Sequence, residues 1–299
     1  MDIQVTELSK IYSGNVNALK NVSFHIDHNG IFALIGKNGA GKTTLVRILS
    51  TQLMPTSGRA FINGSDVVQN AREVREIIAA VPQEARAVPW MTPVQTITSY
   101  LMWRGYTHSQ SRTMAKDVLR SLGLGDQENV KNRSLSGGQK RKVLVATALA
   151  SEATVIFMDE PTTGLDFISR KELWSVLAGM KKDRLIILTT HYLEEAEQLG
   201  DRIGIIDRGN MVGIGTLDDL RGLTKYPLSL RIFSRSIDIP EAAGQVTRLD
   251  DGELQVLTTE EQAYSIVTSL LASHIRFNVQ ETSLNTIFES LVQGGVNGE

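Results

Sequence analysis

Apolar and polar positions alternate over the first 30 residues, as they do in strands with one buried face. Ile3 and Val5 have polar neighbours, and further alternating positions lead to the turn signal Asn29-Gly30. Ile31–Ile35 is instead a continuous apolar run, typical of a strand buried on both faces. The start of the chain is therefore predicted to be β-rich, with a buried strand leading through a glycine-rich stretch into a helix. The apolar positions of that helix are Leu45, Ile48, Leu49 and Leu53.

Two further apolar runs predict buried strands in the middle of the chain. Val155–Met158 precedes Asp159, and Leu185–Thr189 precedes His191. Between them, apolar residues at helical spacing mark one face of a helix. Because strands alternate with helices, we expect a parallel sheet that is covered on both sides. The apolar positions of the intervening helix are Leu173, Val176, Leu177 and Met180.

Two other segments have different patterns. Residues from about 84 to 150 carry apolar positions at helical spacing with little strand character, which predicts a helical insert in the α/β core. After Tyr226-Pro227, strand-like and helix-like segments alternate to the end of the chain. We therefore predict one large domain over residues 1–223, which includes the insert, and a small α+β domain over residues 224–299.

Composition narrows the class of protein. Of the 299 residues, 41% are hydrophobic and 21% are charged, and the net charge is −2. These values argue against a disordered chain and against a strongly basic protein that coats nucleic acid. The absence of cysteine excludes disulfides, cysteine zinc sites, iron–sulfur clusters and cysteine nucleophiles. No export signal or membrane-spanning run is visible, so we expect a soluble, cytoplasmic protein that would act at a membrane only through a partner.

A phosphate-binding loop is the first candidate site. The segment from Gly36 to Thr43 fits the pattern G-x-x-x-x-G-K-[ST], with a buried strand before it and an amphipathic helix after it. Glycines let the backbone N–H groups of such a loop surround phosphate oxygens, and the helix N-terminus adds its positive end. Lys42 can reach the β- and γ-phosphates, and the Thr43 hydroxyl can bind Mg²⁺. The residues predicted to hold ATP here are Gly36, Lys37, Asn38, Gly39, Ala40, Gly41, Lys42, Thr43 and Thr44.

Two acids follow the apolar run Val155–Met158. Asp159, at the carboxyl end of the predicted strand, is placed to hold Mg²⁺ directly or through water. Glu160 is then placed to polarise an attacking water molecule. A solvated pair of acids is a common alternative at a strand end, and the phosphate-binding loop favours the functional interpretation.

A second anion-binding element precedes these acids. Leu135-Ser136-Gly137-Gly138-Gln139 leads into a predicted helix through Val143–Ala150, and a serine with two glycines at a helix N-terminus can bind an anion. One nucleotide does not need two such sites in one chain. A head-to-tail dimer uses both, with each ATP between the phosphate loop of one subunit and the Ser136–Gln139 segment of the other. The adjacent run Lys140-Arg141-Lys142 is interpreted as a solvated helix face rather than a nucleic-acid patch.

With these motifs in this order, residues 1 to about 223 resemble the nucleotide-binding subunits of ATP-binding cassette (ABC) transporters. The resemblance implies an α/β fold: a P-loop NTPase (RecA-like) core with an N-terminal antiparallel β subdomain and a helical insert, followed by the small C-terminal α+β unit. It implies an ATPase that uses ATP and Mg²⁺ at the cytoplasmic face of the cell membrane. Its expected partners are a separate transmembrane permease subunit and a second ATPase subunit in a head-to-tail dimer, expected to be a homodimer. Nucleic acid is not expected as a partner.

The resemblance also assigns roles to single residues. Tyr12 matches the aromatic residue that stacks on adenine, Gln83 matches the glutamine that senses the γ-phosphate, and His191 matches the switch histidine that contacts it. The loop Pro161–Asp166 matches the one that crosses the dimer interface. The catalytic residues implied are Glu160, His191, Gln83 and Lys42. The Mg²⁺ ligands implied, partly through water, are Thr43, Gln83 and Asp159. The residues expected to reach the ATP of the other subunit are Ser136, Gly137, Gly138, Gln139 and Asp166.

Two positions depart from the family pattern. Phe167 follows Asp166, where proline is usual, and Thr147 stands where the helix usually has arginine. Since neither position touches nucleotide chemistry in the family, we expect altered packing with activity retained.

The end of the chain favours an exporter. Residues 282–291 look like the final helix of the drug-, antibiotic- and sodium-export (ABC-2) type of cassette, although an amphipathic helix capped by Thr282 or Ser283 would have the same pattern. The alternatives are an importer ATPase, a translation or DNA-repair cassette ATPase, and a small kinase. Neither a second cassette nor a long coiled coil between the motifs is visible, and a kinase leaves Leu135–Gln139 unexplained. These motifs do not identify the transported substrate.

Overall fold

Three β-sheets organise the chain in a computed structural model that describes residues 1–234, 239, 244–249 and 252–294. Two units separate at Val212 and Gly213, whereas the boundary at residues 223 and 224 remains a sequence prediction. The strands are β1 (Ile3–Tyr12), β2 (Val16–Ile26), β3 (Gly30–Ile35), β4 (Ser57–Ile62), β5 (Ser65–Asp66), β6 (Ile78–Val81), β7 (Val155–Asp159), β8 (Leu185–Thr190), β9 (Arg202–Asp207), β10 (Asn210–Gly215), β11 (Leu228–Ile232), β12 (Gln245–Arg248), β13 (Leu254–Thr258) and β14 (Phe277–Glu281). The helices are α1 (Lys42–Leu49), α2 (Ala71–Ile77), α3 (Pro93–Trp103), α4 (His108–Ser121), α5 (Gly137–Ala150), α6 (Phe167–Met180), α7 (Leu193–Leu199), α8 (Leu217–Gly222), α9 (Glu260–Ala272) and α10 (Leu284–Gly294).

The central sheet of the first unit has the strand order β10-β9-β3-β8-β7-β6. The strands from β9 to β6 are parallel to their neighbours, and every residue of β3, β7 and β8 is buried. This burial on both faces explains the continuous apolar runs in the sequence and confirms the predicted parallel sheet. Strand β6 was not predicted, because four residues with two central alanines carry little strand signal.

The register of this sheet brings the predicted motifs to one edge. Ile35 pairs with Thr190, and Asp159 pairs with Thr189, so β3, β7 and β8 end side by side. In open α/β sheets, ligands bind beyond the carboxyl ends of the strands. The phosphate loop, the two acids and His191 all follow these strand ends.

The N-terminal residues form a separate antiparallel sheet, with the order β2-β1-β4-β5. Strand β1 pairs with both β2 and β4, and its inward residues Ile3, Val5 and Leu8 are buried. The predicted N-terminal antiparallel β subdomain is confirmed. Strand β1 ends at Tyr12, the residue expected to stack on adenine.

Between β6 and β7, helices α3, α4 and α5 pack on one another. Their shared core includes Ile97, Leu101, Ala115 and Leu119, none of which has exposed surface. Helices α3 and α4 each begin with a threonine in a capping box, in which the threonine and the glutamine three residues later satisfy each other's backbone N–H groups. The insert is therefore a helical body with defined ends.

The cap of α4 gives a testable prediction of stability. Thr107→Ala removes the side-chain acceptor for the Gln110 N–H, which is expected to lower the free energy of unfolding by about 1 kcal/mol. Denaturant unfolding followed by circular dichroism measures this change. Ser109→Ala, at an exposed position of the same helix, is the matched control and should leave stability nearly unchanged. Equal stabilities of the two variants would contradict the cap assignment.

The second unit contains an antiparallel sheet with the order β12-β13-β11-β14. Helix α9 packs on it through Ile266 and Leu270, against a core that includes Leu230, Ile232 and Val256. Helix α10 buries one apolar face, and the hydroxyl of Ser283 accepts a hydrogen bond from the N–H of Thr286 at its start (3.5 Å). The buried face of α10 consists of Leu284, Ile287, Phe288 and Val292.

Candidate functional site

The loop between β3 and α1 has a backbone that only glycine permits at two positions. A Cβ atom at Gly36 would lie 2.3 Å from the carbonyl oxygen of Ile206. Gly41 has φ of 112°, and a Cβ atom there would lie 2.5 Å from the carbonyl oxygen of Ala18. Side chains are therefore excluded at both ends of the loop, directly after β3 and directly before α1, as a cradle of backbone N–H groups requires.

Lys42, the first residue of α1, is buried beneath this loop. Its ammonium group donates hydrogen bonds to the carbonyl oxygens of Gly36 (2.7 Å) and Lys37 (3.1 Å). Burial lowers the pKa of Lys42, and the carboxylates of Glu160 and Asp159 oppose that shift. The lysine side chain is thus held at the loop by two backbone carbonyl groups, where it can meet phosphate charge.

The two predicted acids have different environments at the end of β7. Asp159 is buried, and its Oδ1 accepts a hydrogen bond from the hydroxyl of Thr189 on β8. Glu160 has a positive φ of 50°, an unusual conformation for a residue other than glycine, which costs on the order of 1–3 kcal/mol. Its N–H donates to the carbonyl oxygen (3.1 Å) and the hydroxyl (3.0 Å) of Thr189. This turn directs the Glu160 side chain away from the course of the strand.

The Glu160 carboxylate is surrounded by three polar side chains. Gln83 Nε2 and the Thr163 hydroxyl both donate to Oε2 at 3.0 Å. His191 Nδ1 lies 3.2 Å from Oε1. Two of these partners, Gln83 and His191, were assigned to the site only through the family resemblance. They come from segments far apart in the sequence, after β6 and β8.

A polar pocket of 280 Å³ joins the phosphate loop to this cluster. It is lined by the loop together with Gln83, Glu160 and His191, so all four residues predicted for catalysis, including Lys42, share one space. Asp159 is buried and does not line the pocket. Tyr12 lies beside it, with its hydroxyl 3.3 Å from that of Thr44. The residues of the loop that line the pocket are Asn38, Gly39, Ala40, Gly41, Lys42, Thr43 and Thr44.

The Ser136–Gln139 segment does not line this pocket. Ser136 is the N-cap of α5, and its side chain and that of Gln139 form a capping box with distances of 3.2 and 3.0 Å. Gly137 and Gly138 form the first turn of α5. Asp166 caps α6 through the N–H of Ser169 at 2.9 Å, which lowers the pKa of its carboxyl. The residues expected to act on the other subunit's ATP are therefore absent from the lining of the phosphate pocket of their own chain, although Gly137 lines a neighbouring 760 Å³ pocket together with Gln83 and Glu160.

The prediction of a solvated face at Lys140-Arg141-Lys142 is wrong for two of its three residues. Arg141 and Lys142 are buried, and Lys142 Nζ lies 2.5 Å from the Glu172 carboxylate on α6. Burial lowers the pKa of Arg141, whose guanidinium donates to five backbone carbonyl groups. Those acceptors belong to Pro82, Gln83, Asp159, Glu160 and Pro161, at 2.6 to 3.3 Å. A run of charges has no local signal that distinguishes this inward orientation from a solvated face.

The two departures from the family pattern lie outside the pocket. Phe167 is an exposed residue at the start of α6, with the Lys171 ammonium 4.4 Å from its ring centroid. Thr147 donates to the carbonyl oxygen of Leu144 within α5 (2.6 Å). Neither side chain contacts the phosphate loop or the Glu160 cluster, which leaves the prediction of retained activity to be measured.

The donor groups of the pocket fit a magnesium nucleotide. Glycines keep the loop open to phosphate, Lys42 supplies positive charge, and the Thr43 hydroxyl and Gln83 amide provide the neutral oxygen ligands that Mg²⁺ accepts. Within residues 1–234, 239, 244–249 and 252–294, no helix combines the length and the apolar composition needed to cross a bilayer. The fold and this pocket together define a nucleotide-binding protein of the P-loop class.

Comparisons with known proteins agree with this class. The profile of the ABC transporter family matches residues 19–163. The linearmycin resistance ATP-binding protein LnrL of Bacillus subtilis is 32% identical, over 97% of this chain and 97% of its own length. The daunorubicin/doxorubicin resistance ATP-binding protein DrrA of Streptomyces peucetius is 28% identical, over 97% of this chain and 92% of its own length. The human phospholipid-transporting ATPase ABCA3 is 36% identical over 72% of this chain. The matched region is only 13% of the length of ABCA3.

Solved structures show the same fold. An ATP-binding subunit of an ABC transporter superposes with a TM-score of 0.67 at 29% identity, covering 74% of this chain and 92% of its own. The dimeric cassette MJ0796, in a post-hydrolysis state with ADP and Pi, superposes with a TM-score of 0.64 at 25% identity. The superposition covers 72% of this chain and 98% of the MJ0796 chain. The chain belongs to the ABC transporter family of ATP-binding proteins. The predicted family, fold and ATPase class are confirmed.

Proposed function

We propose that this protein is the ATP-hydrolysing subunit of an ABC exporter and drives a substrate through a separate membrane-embedded permease. The observation that carries the proposal is the 280 Å³ pocket, in which Lys42, Glu160 and His191 share one space. A buried cation, a carboxylate at a strand end and a histidine beside it suit hydrolysis of a phosphoanhydride bond.

The catalytic roles follow from the geometry of the pocket. The loop N–H groups and Lys42 bind the phosphates and neutralise charge that develops as the terminal phosphoryl group departs. Glu160 accepts a proton from the attacking water, while Gln83 and His191, within 3.2 Å of its oxygens, fix the orientation of its carboxylate. Tyr12, half-exposed beside Thr44, offers its ring face to the adenine base.

Magnesium is part of this proposal. Thr43, Gln83 and Asp159 would hold the ion, partly through water; Thr43 and Gln83 line the pocket, and Asp159 is buried. Bound there, Mg²⁺ would neutralise part of the phosphate charge.

The proposed active unit is a head-to-tail homodimer. The N-terminus of α5, with Ser136, Gly137 and Gly138, presents N–H groups at a helix end but does not line the pocket of its own chain. A second copy would bring this segment, and the loop Pro161–Asp166 with it, to the other phosphate pocket. The dimeric state of MJ0796 supports this arrangement by analogy.

Exposed aromatic residues on the helical insert support a permease partner at the cytoplasmic face of the cell membrane. Trp90 and Trp103 are 73% and 79% exposed, and Met102 is also exposed. Trp90 and Met102, but not Trp103, line a groove of 480 Å³ between α3 and the start of α4. Large exposed apolar side chains around a groove are typical of a protein-binding surface.

Export is favoured over import by two observations. Both full-length relatives compared above are named as drug-resistance ATP-binding proteins. The sequence of α10 also resembles the export-type ending, whereas the burial of its apolar face would be the same in any capped amphipathic helix. The substrate stays undefined, because the specificity of such transporters would reside in the permease.

Co-purification tests the proposal. Tagged Glu160→Gln protein is incubated with native membranes and ATP·Mg²⁺, solubilised in mild detergent, and its partners are identified by mass spectrometry. We expect a multi-span membrane protein to co-purify, and Trp90→Ala/Trp103→Ala protein to lose it. Recovery of ribosomal or DNA-repair proteins, or of no membrane protein, would replace the transport role with a non-transport ATPase.

A further inference from the structure

Glu195 is a completely buried acid on α7, outside the phosphate pocket. Its carboxylate accepts hydrogen bonds from the Thr162 hydroxyl and from the indole N–H of Trp174, both at 3.0 Å. The side chain of Thr190 also acts on this carboxylate and lowers its pKa, against the effect of burial. All three residues are themselves buried.

Each partner belongs to a different part of the proposed catalytic machinery. Thr162 lies two residues after Glu160, in the loop Pro161–Asp166. Thr190 directly precedes His191, and its hydroxyl also accepts the N–H of Tyr192 (2.9 Å), so it anchors both sides of the histidine. Trp174 is on α6, the helix that Asp166 caps. One carboxylate thus joins the backbone segments that follow β7 and β8.

A carboxylate is a costly choice for a purely structural link at this depth. Burial raises the pKa of Glu195, and its hydrogen-bond partners and the more distant charge of Arg170 only oppose that shift. Arg170 is engaged elsewhere, with its guanidinium 4.2 Å from the Tyr192 ring centroid. A carboxylate can accept several hydrogen bonds at once without offering a donor, and it fixes their directions more strongly than a neutral amide does.

We propose that Glu195 is a positioning residue for ATP hydrolysis, which holds the loop Pro161–Asp166 and the turn that carries His191 in one fixed arrangement around Glu160. The inference rests on the proposed catalytic roles of Glu160 and His191. Because these two side chains lie 3.2 Å apart, a small shift of either segment would separate them. Displacements on the order of 1 Å at a catalytic group lower rates by up to about 10²-fold.

The expected consequence is a loss of turnover without a loss of ATP binding. In Glu195→Gln, the amide N–H₂ faces at least one donor, which breaks the arrangement of acceptors while keeping the shape of the side chain. We expect kcat to fall by about tenfold or more, while KM and the Kd for ATP stay within about twofold. Thr162→Val removes one donor with little change in volume, and it should lower kcat in the same direction. The double variant should lose little more than Glu195→Gln alone, since both changes break one link.

The test measures kcat, KM, ATP affinity and thermal unfolding of these variants. Glu197→Gln makes the same substitution at an exposed position of α7 and is the matched control. A lowered Tm with the kcat of the control would show that Glu195 is only structural, and so would a raised KM at unchanged kcat. If Glu195→Gln does not fold, Thr162→Val decides: a wild-type kcat overturns the inference, and a reduced kcat at unchanged KM supports it.

Glu160→Gln, measured in parallel, separates this inference from the proposed function. If Glu160→Gln hydrolyses ATP at the wild-type rate, the catalytic assignment itself fails. If Glu160→Gln is inactive and both Glu195→Gln and Thr162→Val match the control, only the role of Glu195 is refuted.

Discussion

Replacement of Glu160 by glutamine is expected to lower ATP turnover by about 10²-fold or more. The amide keeps the size of the side chain but cannot accept the proton of the attacking water. ATP binding should persist, because the phosphate loop and Lys42 are untouched. The dimer should then accumulate in its ATP-bound form, visible as a shift to larger mass in size-exclusion chromatography with ATP·Mg²⁺.

An exposed glutamate serves as the control for this variant. Glu197→Gln, on the exposed side of α7, should keep the wild-type rate and show no shift in mass. Steady-state phosphate release gives the rate for both proteins. A wild-type rate for Glu160→Gln would place the proton acceptor on another residue.

The phosphate loop and the two acids were predictable because their signals are local. A buried strand, glycines at fixed spacing and an amphipathic helix dictate the backbone of residues 36–49 without reference to distant residues. Likewise, an apolar strand that ends in two acids puts them at the carboxyl edge of a parallel sheet. The structure adds the steric reason for the glycines: a Cβ atom in their place would collide with the carbonyl oxygens of Ile206 and Ala18, which the sequence alone does not reveal.

Tyr12, Gln83 and His191 carry no such local signal. An aromatic residue in a strand, a glutamine in a loop and a histidine after a strand are each ordinary, and only the resemblance singled them out. The parallel register of β6, β7 and β8 is what brings Gln83 and His191 to Glu160. That register is a property of the tertiary fold.

Glu195 and Arg141 were missed for a related reason. In an acid-rich stretch, Glu195 resembles its exposed neighbours, although it shares a buried helix face with Ala196 and Leu199. Leu199 lies four residues after Glu195 and three after Ala196, and this helical spacing was a usable signal. Arg141 had none, because its five acceptors come from the ends of β6 and β7, and a charged run is usually solvated.

Arg141 carries the second large effect. Arg141→Met keeps the apolar length of the side chain but leaves five backbone carbonyl groups without their donor. We expect the free energy of unfolding to fall by about 3 kcal/mol, since hydrogen bonds from a charged donor are strong and unsatisfied buried acceptors are costly. Turnover should fall as well, because four of those carbonyl groups fix the backbone of the proposed catalytic residues. They belong to Gln83 and Glu160 and to the residues that precede them, Pro82 and Asp159.

Denaturant unfolding and ATPase assays test this prediction together. Lys140→Met removes the neighbouring cation, whose ammonium makes one long hydrogen bond to the Arg133 carbonyl oxygen (3.4 Å), and it should cost at most about 1 kcal/mol. Arg141→Lys keeps the charge but has three donors in place of five, so its stability should fall between those of the wild type and Arg141→Met. A loss for Arg141→Met no larger than that for Lys140→Met would mean that water satisfies the carbonyl groups. In that case Arg141 would not be the link between α5 and the backbone at the ends of β6 and β7.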